Sequence, residues 1–152
     1  MDRRKFLGAS VVAFAALIAP VTNLQAVDFR ATKPNAWTAE HSPEAIKEMF
    51  GAGGLKTTDK IKFTAPKLAE NGGSIPCNIK SSLDLESIAV FQDANPRAAT
   101  AMFTVPANGI IDYDFRIKMR KTAVVTIVAK GRDGTLYTVA KEIDVSIGGC
   151  GG

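Results

Sequence analysis

The chain has 152 residues, 46% hydrophobic and 22% charged, with a formal net charge of +4, two cysteines and one histidine. This is enough chain for one domain with its own core, since disulfide or metal staples are usually needed only below about 40 residues. The modest net charge gives no reason to expect nucleic acid or an anionic membrane as a partner.

Residues 1–26 read as an export signal. Asp2-Arg3-Arg4-Lys5 is a charged start, an apolar run follows from Ala9 to about Val21, and Leu24-Gln25-Ala26 offers a small residue for cleavage. The run is too short for a spanning helix, which needs about 20 apolar residues. The paired arginines before Phe6-Leu7 resemble a twin-arginine export motif, and Asp2 and Gly8 depart from its usual flanks. Cleavage after Ala26 removes three cations and one acid and leaves a net charge of +2. A periplasmic location is the expectation.

The remainder, residues 27–147, predicts a β-sandwich with a helical start. Val27 to Ala39 shows no sustained period. Ser42-Pro43-Glu44 predicts a helix start, with Ser42 as cap, and Gly51-Ala52-Gly53-Gly54 ends that helix. From Lys60 the period becomes two. Ile61 and Phe63 alternate with lysines, Asn71-Gly72-Gly73 marks a turn, and Ile75, Cys77 and Ile79 share one strand face. Ile88 to Phe91 and Met102 to Val105 are short apolar runs separated by Asn95-Pro96. Ile111, Tyr113, Phe115, Ile117 and Met119 give the clearest alternation, against Asp112, Asp114, Arg116, Lys118 and Arg120. Thr122 to Ala129, the Gly131-Arg132-Asp133-Gly134 hairpin signal, Leu136 to Val139 and Ile143 to Ile147 complete the set. About seven short strands with regular turns predict an all-β, immunoglobulin-like antiparallel sandwich.

The chemistry-bearing segment is residues 148–152, Gly148-Gly149-Cys150-Gly151-Gly152. Glycines on both sides free the backbone and clear the approach to the sulfur. Five extended residues reach on the order of 17 Å. The expectation is a flexible arm carrying a thiol that a partner's channel can admit, activated by partner sites because the tail is read as lying far from fixed cations. A frayed end is the plain alternative. A Cys77–Cys150 disulfide is the rival pairing, opposed by the strand pattern, which makes Cys77 a small buried hydrophobe.

The other candidates are weak. His41 has no second histidine or cysteine cluster to make a zinc or copper site, so no metal is expected and it reads as a solvated loop residue. Asp112 and Asp114 read as a solvated face. So do Arg116, Lys118 and Arg120, with a partner or an anion as the alternative for that cationic stripe. No phosphate loop, nucleophile elbow or Cys-x-x-Cys is present, so the chain reads as a carrier and not an enzyme.

The twin-arginine-like start, the sandwich body, Asn95-Pro96, the Arg116-Ile117-Lys118-Met119 strand, the Gly131 to Tyr137 hairpin and the Gly-Gly-Cys-Gly-Gly end together resemble the SoxY family. That resemblance implies a sulfur-carrier subunit of periplasmic thiosulfate oxidation, with thiosulfate-derived adducts on Cys150 and no cofactor. It also implies a heterodimer with a SoxZ-like subunit. The implied visiting partners are a SoxAX-like haem protein, a SoxB-like hydrolase and a SoxCD-like dehydrogenase. Cys77 stands where the family usually has an aliphatic residue. Two other functions compete: a thiol oxidoreductase using Cys150 and Cys77, and a structural or adhesion sandwich.

Overall fold

Strong β-formers separated by tight turns leave this chain little choice but to stack two sheets and hide the faces between them. The computed structural model describes residues 27–147. The expected signal (1–26) and carrier arm (148–152) lie outside the described residues.

Three helices come first: α1 (Phe29–Thr32), α2 (Pro34–Thr38) and α3 (Ser42–Phe50). Nine strands follow: β1 (Leu55–Thr57), β2 (Ile61–Thr64), β3 (Leu68–Asn71), β4 (Ile75–Ser81), β5 (Leu85–Gln92), β6 (Ala99–Thr104), β7 (Ile111–Ile117), β8 (Ala123–Gly131) and β9 (Leu136–Ile147). The larger sheet runs β1-β9-β8-β5-β6, with β3 also paired to β9, and the smaller sheet runs β2-β4-β7.

The expected sandwich is present, with three differences of detail. Two strands, β1 and β3, had no sequence signal, and both pair with β9 in parallel. The two segments expected at 136–139 and 143–147 are one continuous strand of 12 residues. Val27 to Ala39 contains α1 and α2, seated by Asp28, whose carboxylate accepts from the Arg30 and Ala31 N–H groups.

The cap of α3 also differs from expectation. The Ser42 hydroxyl oxygen is buried without a hydrogen-bond partner, and the Ser42 N–H donates to Asp93 Oδ1 at 2.7 Å. A carboxylate from the turn after β5 therefore satisfies the helix end and ties the helices to the sheet.

Strand β5 explains the unbroken run Ile88 to Phe91. Ile88 and Val90 face the sandwich interior with Ile75, Ile79, Ile127 and Ile143. Ala89 and Phe91 face outward with Val128, where Ala36, Ala39, Ala45 and Met49 cover them. Phe50 meets Phe91 edge-on at 6.5 Å between ring centroids. A strand covered on both faces loses its alternation.

The β8–β9 hairpin closes as the sequence predicts. Gly131 N–H donates to Thr135 O at 2.8 Å, and Gly134 takes φ +85°, where an L side chain is strained. Strands β4 and β7 pair over seven residues, from Ile75 opposite Ile117 to Ser81 opposite Ile111.

Ile127 lies fully buried between the sheets. Ile127→Ala should lower unfolding stability by about 2–5 kcal/mol, read as a lower urea midpoint at unchanged slope. A loss below about 1 kcal/mol would mean the interior collapses readily around the gap.

Candidate functional site

The five residues that the sequence nominates, Gly148, Gly149, Cys150, Gly151 and Gly152, fall outside the described residues. The structure does describe the root from which they depart. Strand β9 is held on one side by β8, from Ala123 opposite Ile143 to Lys130 opposite Leu136. On the other side β1 covers its start and β3 its end, with Leu68 opposite Asp144 and Asn71 opposite Ile147. The last described residue is itself anchored, because Ile147 O accepts from Gly72 N–H at 2.8 Å.

Gly72 links this root to a second segment. Its carbonyl accepts from Met119 N–H at 2.8 Å, and Thr122 Oγ1 accepts from Val145 N–H at 2.9 Å. The loop 118–122, which crosses from the small sheet to the large one, is thus stitched to both sides of the final turn of β9. Met119 is fully buried, so its neighbours Lys118, Arg120 and Lys121 face solvent.

Asn95 braces the same loop. Its Nδ2 donates to Lys118 O at 2.7 Å and its Oδ1 accepts from Arg120 N–H at 3.2 Å. One side-chain amide bonded to the backbone on either side of Met119 fixes where the basic residues stand. The Asn95-Pro96 pair was visible in the sequence; this bracing role was not, because the contact spans more than 20 residues.

The carboxylates of β7 take no part in this end. Asn78 Nδ2 donates to both Asp112 Oδ1 and Asp114 Oδ1 at 2.8 Å, and Lys80 pairs with Asp112 at 3.0 Å. The Asn78 amide, with Lys80 behind it, holds the Asp112 carboxyl below its ordinary range. Both aspartates are exposed, as the solvated-face reading expects. Arg116 donates to Ser74 Oγ at 3.3 Å.

Cys77 lies where the alternation puts it, on the inward face of β4 with Ile75 and Ile79, at 4% exposure. Its thiol is free, and burial pushes it up from about 9 to about 11, against a smaller opposing pull from Lys141. Lys141 Nζ donates to Ala65 O between the sheets. At neutral pH Cys77 is a protonated core residue. His41 is exposed in an open cleft with Glu40, Glu44, Glu48 and Arg97. Among the described residues no three His, Cys, Asp or Glu side chains are grouped to hold a metal ion.

The two-sheet sandwich is shared with solved structures of other proteins. A solved structure of superoxide reductase (neelaredoxin) from Ignicoccus hospitalis shares the fold at a TM-score of 0.54 and 15% identity, covering 60% of this chain and 95% of that one. A variant of the neelaredoxin from the same organism matches at 0.52 and 17%, covering 68% and 88%. At such identities the likeness is one of fold alone. The structure of the sulfur carrier protein SoxY from Chlorobium limicola f thiosulfatophilum matches at a TM-score of 0.63 and 28% identity, covering 77% of this chain and 99% of that one. No match was found among curated proteins. The family model described as sulfur oxidation protein SoxY matches residues 46–150, more than half of the chain. The chain belongs to the SoxY family of sulfur oxidation proteins.

The buried thiol and the braced loop can each be tested. Because the folded Cys77 thiol titrates above the unfolded one, its contribution to stability is complete below about pH 9 and is lost as pH rises towards about 11. Urea titrations across that window should show this fall, on the order of 2 kcal/mol, in the parent chain and not in Cys77→Val. Asn95→Ala should cost about 1–3 kcal/mol and speed amide exchange at Arg120, one of the two backbone groups it holds. Unchanged exchange there would show that Met119 alone fixes the loop.

Proposed function

We propose that this chain carries sulfur intermediates covalently on Cys150, with Gly148, Gly149, Gly151 and Gly152 as the pliant arm that presents them to partner enzymes. The observation that carries this reading is the extent of the family match, which runs to residue 150 and so takes in the cysteine. The similarity to a sulfur carrier protein over 99% of its length supports the same role. The described body supports it by supplying a firmly paired root that ends at Ile147, three residues short of the cysteine.

The chemistry asks little of the body. The Cys150 thiolate forms a disulfide bond to the sulfane sulfur of thiosulfate, and the two electrons released pass to a SoxAX-like haem partner. A SoxB-like hydrolase then cleaves the sulfur–sulfonate bond with water, releasing sulfate and leaving a persulfide. A SoxCD-like dehydrogenase oxidises that remaining sulfur. Catalysis sits in the partners, and this chain supplies the nucleophile and its presentation. A SoxZ-like subunit completes the carrier as a heterodimer, and residues 1–26 direct the chain to the periplasm as a twin-arginine signal.

The burial of Cys77 favours the carrier over an oxidoreductase. A resolving thiol must reach the attacking sulfur as a thiolate, and a protonated side chain under β4 does neither. The same burial disfavours a Cys77–Cys150 disulfide.

The test is the mass of the tryptic peptide 142–152 taken from thiosulfate-oxidising cells under non-reducing conditions. It should carry thiosulfonate or persulfide additions at Cys150. Cys150→Ser should abolish both the additions and thiosulfate oxidation, while Cys77→Val should preserve both. An unmodified peptide during active oxidation would overturn the carrier role, and loss of turnover in Cys77→Val would favour the oxidoreductase.

A further inference from the structure

Strand β1 is poorly explained by packing, because Leu55, Lys56 and Thr57 are all exposed. What its pairing with β9 achieves is a placement. Lys56 stands opposite Tyr137 in the parallel register, and residues opposite one another share a sheet face. Beside them opens a cleft of about 420 Å³, within the range of about 300–1,000 Å³ usual for small-molecule sites. Its floor is Leu83 and Tyr137, half-buried side chains that pack on the sandwich interior. Its rim carries Lys56, Thr58, Asp59 and Lys60.

The cleft is preformed and its cations are unspent. The Ser81 hydroxyl donates to Lys60 O at 3.0 Å and accepts from Leu83 N–H at 3.1 Å, so one side chain fixes both rim and floor. Lys60 N–H donates in turn to Thr58 Oγ1 at 3.2 Å. Neither Lys56 nor Lys60 forms an ion pair among the described residues, whereas Lys80, Arg97, Lys130 and Arg132 all do. Asp59 is the one carboxylate lining the cleft, set against two ammoniums. Asp133 on the β8–β9 turn is held first by the Thr135 N–H at 2.9 Å and feels Lys56 least among its influences. Tyr137 and Ile147 lie near opposite ends of β9, about 33 Å apart along the strand. The cleft is therefore remote from the end of the described chain.

We propose that this cleft binds a small organic anion, flat and apolar at one end and acidic at the other. The apolar body rests on Leu83 and Tyr137, and the acidic group meets Lys56 and Lys60. A bare inorganic anion would leave the floor wet, and a neutral ring would leave the ammoniums without a counter-charge. The site goes beyond the carrier reading and involves none of the residues 148–152.

The experiment titrates the full, nitrogen-15-labelled chain with three probes, read by amide chemical shifts. Benzoate has both features, benzamide has the ring without the charge, and acetate has the charge without the ring. Benzoate should shift the amides of Lys56, Thr58, Lys60, Leu83 and Tyr137 to saturation, with millimolar affinity. Benzamide and acetate should each bind at least about fivefold more weakly. K56Q/K60Q should reduce benzoate to the affinity of benzamide while the rest of the spectrum stays in place. Benzoate binding no better than either control would overturn the site, as would shifts centred on other residues or none by about 20 mM. The three-probe comparison on the unsubstituted chain decides the matter even if the double variant is perturbed. No thiol chemistry enters the measurement, so its outcome is separate from the peptide-mass test of sulfur carriage.

Discussion

The strand from Leu136 to Ile147 is the constraint on which the rest depends. It takes β8 along one edge, and β1 and β3 in succession along the other. The hairpin with β8 is local and inexpensive to close. The parallel contacts are not, since Leu55 meets Leu136 and Leu68 meets Asp144 only after the intervening chain has been gathered. The benefit is a strand with no free edge over much of its length. Its end is paired as well, with Ile147 opposite Asn71, so the last described residue is held in place.

The carrier role proposed for Cys150 asks for two properties that oppose one another, a load that travels and a base that does not, and the sequence keeps the glycine-flanked cysteine apart from the β-rich body. β-Branched and aliphatic residues pack the base between two sheets, while alanines and a methionine from the helices seal its outer face. Glycines alone neighbour Cys150 in the chain. The loop between β7 and β8 lies at the junction and belongs to neither half. Its backbone is held by Gly72 and Asn95, its Thr122 hydroxyl accepts from the Val145 N–H, and its charges face water.

Much of this was legible in the sequence, for identifiable reasons. The β7 alternation and the β8–β9 turn could be read because each has one wet face or one residue at positive φ. Cys77 was placed correctly because its neighbours two residues away are both isoleucines. Strands β1 and β3 left no trace. Leu55, Lys56 and Thr57 are all exposed, so no inside-out pattern marks them, and their partner lies some 80 residues on. Ser42 misled because its residue type suits a cap, yet the buried position hands that task to Asp93. Cys150 stood out through its glycine neighbours, whereas the bracing by Asn95 is a tertiary contact with no local signature.

Strand β6 carries a consequence of another kind. It forms the outer margin of the large sheet, and Ala99, Thr100, Ala101, Met102, Phe103 and Thr104 include no charge and no proline. Proteins usually guard such margins with lysine, proline or a covering segment, because bare backbone donors and acceptors recruit foreign strands. The side chains of β6 find company on the two faces, Met102 with the helices and Phe103 with Tyr113 and Phe115. That packing leaves the backbone rim itself without an electrostatic guard. An uncharged margin of this kind is a place where a foreign strand can add to the large sheet, and a lysine in place of the exposed Thr104 would supply the missing charge.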